Sequence, residues 1–134
     1  MEDQDLAIAL ESGVERWAAK SGAKVKVDVN GDASKLPEEV AHHVFRIAQE
    51  AVANAVNHAA PNRINLELKI EPKQLRLHVE DDGCGFEPKD AFTSTHGNFG
   101  LIGMRERAER LEGELRLASQ PGKGTRLDVT VPLR

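Results

Sequence analysis

The segment spanning residues 37–60 most constrains what this chain can fold into. It is rich in alanine, valine and isoleucine at the spacing of a helix that packs into a core. One stripe of this helix is polar, because Glu50, Asn54 and the pair Asn57/His58 recur at helical intervals. Buried polar groups without partners cost roughly a few kcal/mol each. The stripe therefore faces either water or a ligand or metal ion.

Length, cysteine content and charge limit the class of protein. We expect a single domain over residues 1–134, long enough to bury a core without disulfides. Cys84 is the only cysteine, so no internal disulfide can form, which fits a reducing compartment. No run approaches the roughly 18 apolar residues of a membrane span, and no signal peptide is evident. A net charge of −4 without clustered Lys and Arg argues against nucleic acid as a ligand.

Hydrophobic periodicity predicts three helices and five strands. The helices are predicted at residues 3–21, 37–60 and 101–111, and the strands at residues 24–29, 63–70, 75–80, 114–119 and 126–132. Residues 83–99 are rich in glycine and show no period, which is typical of a functional loop. The order of elements predicts an α+β fold, a two-layer α/β sandwich. A mixed, mostly antiparallel sheet of about five strands is covered on one face by three helices.

The end of the strand at residues 75–80 carries a candidate ligand group. Asp81 follows the strand and is itself followed by Gly83 and Gly85, which allow a close backbone approach to a flat ligand. A carboxylate there can accept a hydrogen bond from an exocyclic amine such as that of adenine. An ordinary acidic turn after a strand gives the same pattern, so both interpretations stay open.

A second candidate site lies where a glycine-rich loop runs into the helix at residues 101–111. Free backbone N–H groups and the positive end of the helix dipole converge at residues 100–103, a geometry that holds phosphates. Gly103 in the first turn costs helix stability of about 1 kcal/mol, which is understandable if backbone approaches a ligand. A flexible loop with an ordinary helix start is the alternative. The turn at residues 121–125 is, by itself, compatible with a plain hairpin.

Taken together, these segments resemble one family, the Bergerat-fold (GHKL) ATPases. The matching motifs, in order, are Glu50-x-x-x-Asn54, Asp81-x-Gly83-x-Gly85, Gly97-x-x-Gly100-Leu101-x-Gly103-Met104 and Gly122-x-Gly124-Thr125. More narrowly, GLIGMRER at residues 100–107 is similar to the catalytic ATP-binding domain of bacterial sensor histidine kinases. The subclass is that of the nitrate and membrane-fluidity sensors. The resemblance covers residues 36–133, and residues 6–29 fit the leading helix and strand of that domain.

The resemblance implies ATP or ADP and Mg²⁺ as cofactors. Asn54 would coordinate Mg²⁺, and Glu50 would either orient a Mg²⁺-bound water or act as a general base. Asn57 and His58 would lie near the phosphates or the ribose. Which of its two roles Glu50 performs stays open.

The resemblance also implies an adenine pocket and a lid. Asp81 would accept from the adenine amino group, assisted by Thr125 through a water, and Gly83, Gly85 and Phe86 would line the base pocket. Gly100, Leu101 and Gly103 would lie next to the phosphates. The lid would be formed by His96, Gly97, Asn98, Phe99, Gly100 and Leu101.

The chain departs from the fuller family pattern in two respects. The segment between Phe86 and His96 is short and carries no separate F box. No histidine lies in the basic-His-acidic motif expected of a phosphoacceptor, so we expect the dimerisation domain to be absent. His42 and His43 are expected to be solvent-facing or capping at the start of the long helix. His78 is expected on the open face of its strand.

The leading functional hypothesis is the catalytic domain of a protein histidine kinase. It would bind Mg-ATP and donate the γ-phosphoryl group to a histidine on a separate dimerisation domain, which in turn serves a helix-turn-helix response regulator. We expect the isolated domain to be monomeric, cytoplasmic and without membrane contact of its own, even where the parent protein is membrane-anchored.

Two other functions remain open. A stand-alone serine kinase of the anti-sigma-factor type shares the fold, and there Glu50 would be the general base for a serine hydroxyl. The Met-Arg-Glu-Arg run at residues 104–107 favours the sensor-kinase interpretation. A non-catalytic, nucleotide-responsive binding module is the third hypothesis. The intact Glu50 and Asn54 argue against it, because a degenerate domain has no need of a metal site.

Overall fold

The computed structural model describes residues 5–59, 61–85 and 100–133. Its helices and strands follow in the order α1 (Leu6–Ala18), β1 (Lys24–Asn30), α2 (Glu38–Asn54), β2 (Arg63–Ile70), β3 (Gln74–Asp81), α3 (Leu101–Arg110), β4 (Glu114–Ser119) and β5 (Thr125–Pro132). A short 3₁₀ turn, Ala33–Lys35, precedes α2, and a π-helical turn, Ala55–Ala59, follows it.

The five strands form one mixed sheet in the order β1-β2-β3-β5-β4. Only β1 and β2 are parallel, because α2 forms the crossover between them. The other neighbours are antiparallel, and short turns connect β2 to β3 and β4 to β5. The predicted two-layer α+β sandwich is confirmed for the described part of the chain, with three helices and a five-stranded sheet.

Strand alternation decides which side chains face the helices. On β3, Leu75, Leu77 and Val79 are buried while the residues between them are more exposed. The same period of two carries Asp81, the last residue of β3, toward the helix side. A carboxylate therefore ends an otherwise aliphatic row. None of the helices in the described ranges is long and apolar enough to cross a bilayer.

Helix α1 is shorter than the predicted span of residues 3–21, and residues 1–4 lie outside the described part. The Asp5 side chain caps it by accepting from the Ile8 N–H at 3.0 Å. At the other end, the Ser21 hydroxyl donates to the Ala18 carbonyl at 2.7 Å. The chain forms a turn at this hydrogen bond, and α1 ends at Ala18 instead of continuing to residue 21.

Helix α2 is not one continuous α-helix over residues 37–60. The α-helical hydrogen bonds end at Asn54, and a wider π turn, Ala55–Ala59, leads toward Pro61. The three- and four-residue spacing therefore holds for Glu50 and Asn54 but changes before Asn57. Such π turns are often found at functional sites.

The expectation for His43 was wrong, whereas that for His42 is confirmed. His42 is exposed, but His43 is buried with 9% of its surface accessible. Residues 43, 47 and 51 share one stripe of α2, so His43 lies in line with the buried Ile47. Helix α3 covers this position, and Arg107 donates from Nη1 to the His43 Nδ1 at 2.9 Å.

His78 lies on the open face of the sheet, as predicted. Its Nδ1 is 2.6 Å from an Asp128 carboxylate oxygen and its Nε2 is 3.2 Å from a Glu80 oxygen. Burial alone would lower the pKa of His78, but the hydrogen bonds to Asp128 and Glu80 outweigh it and raise the pKa above its ordinary value.

This pair of contacts predicts a pH-dependent contribution to stability. The folded-state pKa of His78 exceeds the unfolded value, so the stabilisation is complete below pH 6.5 and is lost as pH rises through the folded-state pKa. His78→Gln should lower the melting temperature more at about pH 5.5 than at about pH 8.5. His42→Gln, on α2 across the sheet, is the control. Equal losses at both pH values in His78→Gln would contradict the prediction.

Candidate functional site

Asp81 lies where the core-facing row of β3 ends. Its carboxylate accepts from the Gly83 backbone N–H at 2.8 Å. Burial raises the pKa of Asp81 against the opposing effect of that N–H, and the negative charges of Asp82 and Glu80 raise it further. An ionised carboxylate can accept several hydrogen bonds. A ligand that donates a hydrogen bond to this half-buried carboxylate would stabilise its ionised form.

The adjacent Asp82 has a different role. It is exposed, points to the other side and accepts from the backbone N–H groups of Asn62 at 2.8 Å and Arg63 at 2.9 Å. These N–H groups hold the pKa of Asp82 below its usual value. Asp82 thus fastens the end of β3 to the start of β2, a structural role that the sequence pattern did not reveal.

Thr125 is brought opposite Asp81 by the register of β3 and β5, and opposite Ser119 by the register of β5 and β4. Its hydroxyl is 2.9 Å from the hydroxyl of Ser119, which is buried and also donates to the Gly124 carbonyl at 3.1 Å. Three polar side chains therefore form a row across three strands. Ser119 was missed from sequence, although it continues the inward-facing positions of Leu115 and Leu117.

Two glycines near Asp81 are required by the chain's own packing. Gly85 and Gly124 have positive φ angles of 64° and 80°. A Cβ at Gly85 would overlap the Gln120 carbonyl, and one at Gly124 would overlap the Asp81 carbonyl. The backbone after β3 and the turn between β4 and β5 therefore touch. A cavity of about 360 Å³ opens beside them, lined in part by Asp81, Ser119, Lys123 and Thr125.

Glu50 and Gly100 bring α2 and α3 together. Gly100 precedes α3 in a left-handed conformation with φ of 60°, and a Cβ there would overlap the Glu50 carboxylate. Glu50 thus lies at the N-terminal end of α3, where backbone N–H groups favour negative charge. Asn54 is one turn further along α2, so the predicted pair shares one helix face.

Gly103 and Leu101 differ in what they offer a ligand. Gly103 is exposed, and apart from its own helix backbone no heavy atom of the described residues lies within 4 Å of a Cβ built on it. Nothing in the described chain therefore requires glycine there, and its bare backbone is accessible from outside. The side chain of Leu101 is buried in the core, so only its backbone can lie next to a ligand.

The donor set at Glu50 and Asn54 fits Mg²⁺ brought by a phosphate ligand. The described ranges contain no group of three or more His, Cys, Asp or Glu that could hold a metal ion alone. Mg²⁺ usually keeps several waters and takes one or two protein oxygens together with substrate phosphates. One carboxylate and one carboxamide on neighbouring turns supply such oxygens.

Several predicted site residues fall outside what is described. Asn57 is exposed in the π turn, and the side chain of the neighbouring His58 is not described. The remaining residues, predicted to form the base pocket and the lid, lie outside the described residues; they are Phe86, His96, Gly97, Asn98 and Phe99. Their roles stay predictions.

Comparison with known proteins agrees with this geometry. The model of the family described as histidine kinase-, DNA gyrase B- and HSP90-like ATPase matches residues 39–134. The chain belongs to this family. The match covers α2, the strand end at Asp81 and the start of α3, which are the elements that carry the candidate site.

Sensor kinases are among the relatives. The chain is 36% identical over 122 residues to the nitrate/nitrite sensor protein NarX of Escherichia coli, an alignment that covers 91% of this chain and 20% of that protein. It is 32% identical over 133 residues to the sensor protein VraS of Staphylococcus saprophyticus, with 99% and 37% covered. The chain thus spans between a fifth and two fifths of the length of these two relatives.

A solved structure shares the fold. The histidine kinase domain of a blue-light activated histidine kinase from Erythrobacter litoralis has a TM-score of 0.74 and 30% identity, covering 96% of this chain and 65% of that one. Family, relatives and structure together identify the chain as an ATP-binding domain of the sensor histidine kinase type, the catalytic part of such kinases. ATP is the nucleotide that domains of this family use.

The two glycines at the start of α3 predict opposite effects of alanine. Gly100→Ala introduces left-handed strain of about 1–2 kcal/mol and pushes against Glu50, so stability and ADP affinity should both fall. Gly103→Ala, the matched control, should raise stability by up to about 1 kcal/mol because helix propensity improves in open space. Thermal unfolding and ADP titration measure both. Equal stability losses in the two variants would contradict this assignment.

Proposed function

We propose that this chain binds Mg-ATP and delivers the γ-phosphoryl group to a histidine on a separate dimerisation domain in two-component signalling. The observation that carries the proposal is the pair of polar ends of one site. Asp81 ends a buried aliphatic row at one of them, and Glu50 with Asn54 faces the start of α3 at the other. A ligand with an amine-bearing base and a charged tail would supply a partner for each end.

The adenine end is assigned to Asp81 and Thr125. Burial raises the pKa of the Asp81 carboxyl, so an amine that donates to the ionised form offsets an unfavourable environment. The Thr125 hydroxyl lies in the neighbouring register position and already bonds Ser119, which fixes its orientation for a bridging water. Gly83, whose N–H holds one Asp81 oxygen, keeps the carboxylate in place.

The phosphate end is assigned to α3 and α2. Backbone N–H groups at residues 100–103 would contact phosphate oxygens, with the open backbone at Gly103 allowing close approach. Asn54 would bind Mg²⁺ directly and Glu50 through a water. When bound, Mg²⁺ neutralises phosphate charge and helps to align the phosphoryl group. Glu50 is held at the helix N-terminus, where it can orient a water or accept a proton from the attacking group.

The similarity to sensor kinases favours this function over the alternatives. Relatives named as sensor proteins match nearly the whole chain, and a histidine kinase domain shares the fold. The acceptor histidine, a helix-turn-helix response regulator as the next partner, and a cytoplasmic location remain parts of the proposal. A serine kinase of the anti-sigma-factor type would instead phosphorylate a serine. Detection of phosphohistidine, not phosphoserine, in the full-length kinase separates the two.

Asp81→Asn tests the adenine end. An amide would turn a donor toward the donating amine, so ADP affinity in Mg²⁺ buffer should fall about tenfold or more by isothermal titration. Stability at neutral pH should not fall, because the raised pKa of Asp81 means that its ionised form is disfavoured in the folded protein. Asp82→Asn, the neighbouring control, should lower the melting temperature but keep ADP affinity. Tight ADP binding by Asp81→Asn would sink the assignment.

Asn54→Ala tests the metal. In the wild type, ADP should bind more tightly with Mg²⁺ than with a chelator, and in Asn54→Ala this difference should largely disappear. Asn65→Ala, at an exposed position on the open face of β2, provides the control and should keep the Mg²⁺ dependence. If Asn54→Ala retains the full Mg²⁺ effect, Asn54 is not a ligand.

A further inference from the structure

A second groove, separate from the Asp81 end, lies between α2 and α3. It has a volume of about 230 Å³. Its α2 wall consists of Arg46, Gln49 and Glu50, and Asn54 is not part of the described lining. The α3 wall is formed by Gly100, Gly103, Met104 and Arg107. The groove therefore begins at Glu50 and extends along α2 away from Asn54.

The two ends of the groove carry opposite charges. Glu50 and Gly100 lie at one end, while Arg46 precedes Glu50 by one turn and Arg107 follows Gly103 by one turn. Within the described residues, neither Arg46 nor Arg107 forms a salt bridge with a carboxylate. Arg46 donates to the Gln49 side chain at 3.2 Å, so among the described residues the two guanidinium groups have neutral partners and no carboxylate within salt-bridge distance. We name this feature the arginine groove.

His43 holds one of these guanidinium groups in place. Arg107 donates from Nη1 to the His43 Nδ1 at 2.9 Å, and His43 is nine-tenths buried. Burial lowers the pKa of His43, and the charge of Arg107 lowers it further, so the ring is neutral near pH 7. A neutral acceptor orients the guanidinium without cancelling its charge. The remaining N–H groups stay available for an anion.

The position of the groove favours a protein carboxylate over the nucleotide phosphates. Glu50 separates Arg46 from Asn54 along α2, and Arg107 is bonded to His43, two turns before Glu50, so both guanidinium groups lie on the side of Glu50 away from the proposed metal. The start of α3, which is assigned to the phosphates, borders the other end of the groove through Gly100 and Gly103. Two guanidinium groups on neighbouring helices suit a carboxylate, which they can bind through charged hydrogen bonds.

We propose that the arginine groove receives a carboxylate side chain of the protein that carries the phosphoacceptor histidine. Arg46 and Arg107 bind this carboxylate through charged hydrogen bonds, and Glu50 repels it from the other end of the groove. The acceptor segment is therefore held in one direction, with its histidine toward Glu50. The inference rests on the proposed function and names the surface through which that function selects its acceptor.

The decisive experiment measures two quantities in arginine variants. Histidine phosphorylation is followed in the full-length kinase at saturating Mg-ATP, and nucleotide affinity is measured by titration of the chain with a non-hydrolysable ATP analogue. Arg46→Ala and Arg107→Ala should each slow phosphorylation about tenfold or more while nucleotide affinity stays within about twofold. Arg110→Ala, which removes the same charge from an exposed position of α3 outside the groove, should leave both unchanged.

Three outcomes would overturn the inference. If Arg107→Ala weakens nucleotide binding as much as it slows phosphorylation, the anion in the groove belongs to the nucleotide. If Arg107→Ala behaves like Arg110→Ala, the groove has no role in transfer. A wild-type kinase that binds ATP but labels no histidine would overturn the proposed function itself, and the inference with it.

A further comparison keeps the test independent of folding. His43→Leu removes the acceptor that positions Arg107 and should slow phosphorylation, whereas His43→Gln retains a neutral acceptor and should restore most of the rate, with melting temperatures measured in parallel. Equal rates in His43→Leu and His43→Gln would count against the inference.

Discussion

The contact between Glu50 and Gly100 is the constraint on which the rest of the site depends. Because Gly100 has no Cβ, the start of α3 can lie directly against a carboxylate of α2 while the backbone adopts a left-handed conformation there. This contact joins the two helices that carry the candidate metal ligands and the candidate phosphate-binding backbone. It also defines the boundary between two regions of opposite charge. On one side of Glu50 lies Asn54 and on the other lie the guanidinium groups of the arginine groove.

The strand end shows how one step along a backbone separates chemistry from architecture. Asp81 and Asp82 are adjacent and chemically identical, yet burial raises the pKa of the first and backbone N–H groups lower that of the second. The alternation of a strand places them on opposite sides. Asp81 faces the pocket, where a ligand that donates a hydrogen bond would stabilise its carboxylate. The Asp82 carboxylate already accepts hydrogen bonds from the backbone at the start of β2. A motif that contains both residues therefore encodes a candidate ligand group and the tether that holds it in position.

Periodicity made most of the fold and part of the site predictable from sequence. The strands and their sidedness follow from alternation, and Asp81 and the Glu50–Asn54 pair follow from position on a strand and a helix. Interactions between elements distant in sequence could not be predicted in the same way. The burial of His43 depends on α3 covering α2, and the hydroxyl row at Ser119 depends on strand register. The tether at Asp82 depends on the antiparallel register of β2 and β3, which brings the backbone of Asn62 and Arg63 to its carboxylate. The end of α2 also changes to a π turn that no helical period indicates.

The five-stranded sheet is open and therefore has two edges, β1 and β4. Such edges present unpaired backbone groups that can recruit strands from other molecules. Lys24, Lys26 and Asp28 are exposed on β1, and Glu114 and Arg116 are exposed on β4, so an incoming strand would meet charged side chains at both borders. The resistance of the domain to edge-to-edge aggregation therefore depends on these charged residues. Their replacement by threonine or valine would raise strand propensity and at the same time make the folded domain prone to fibril formation.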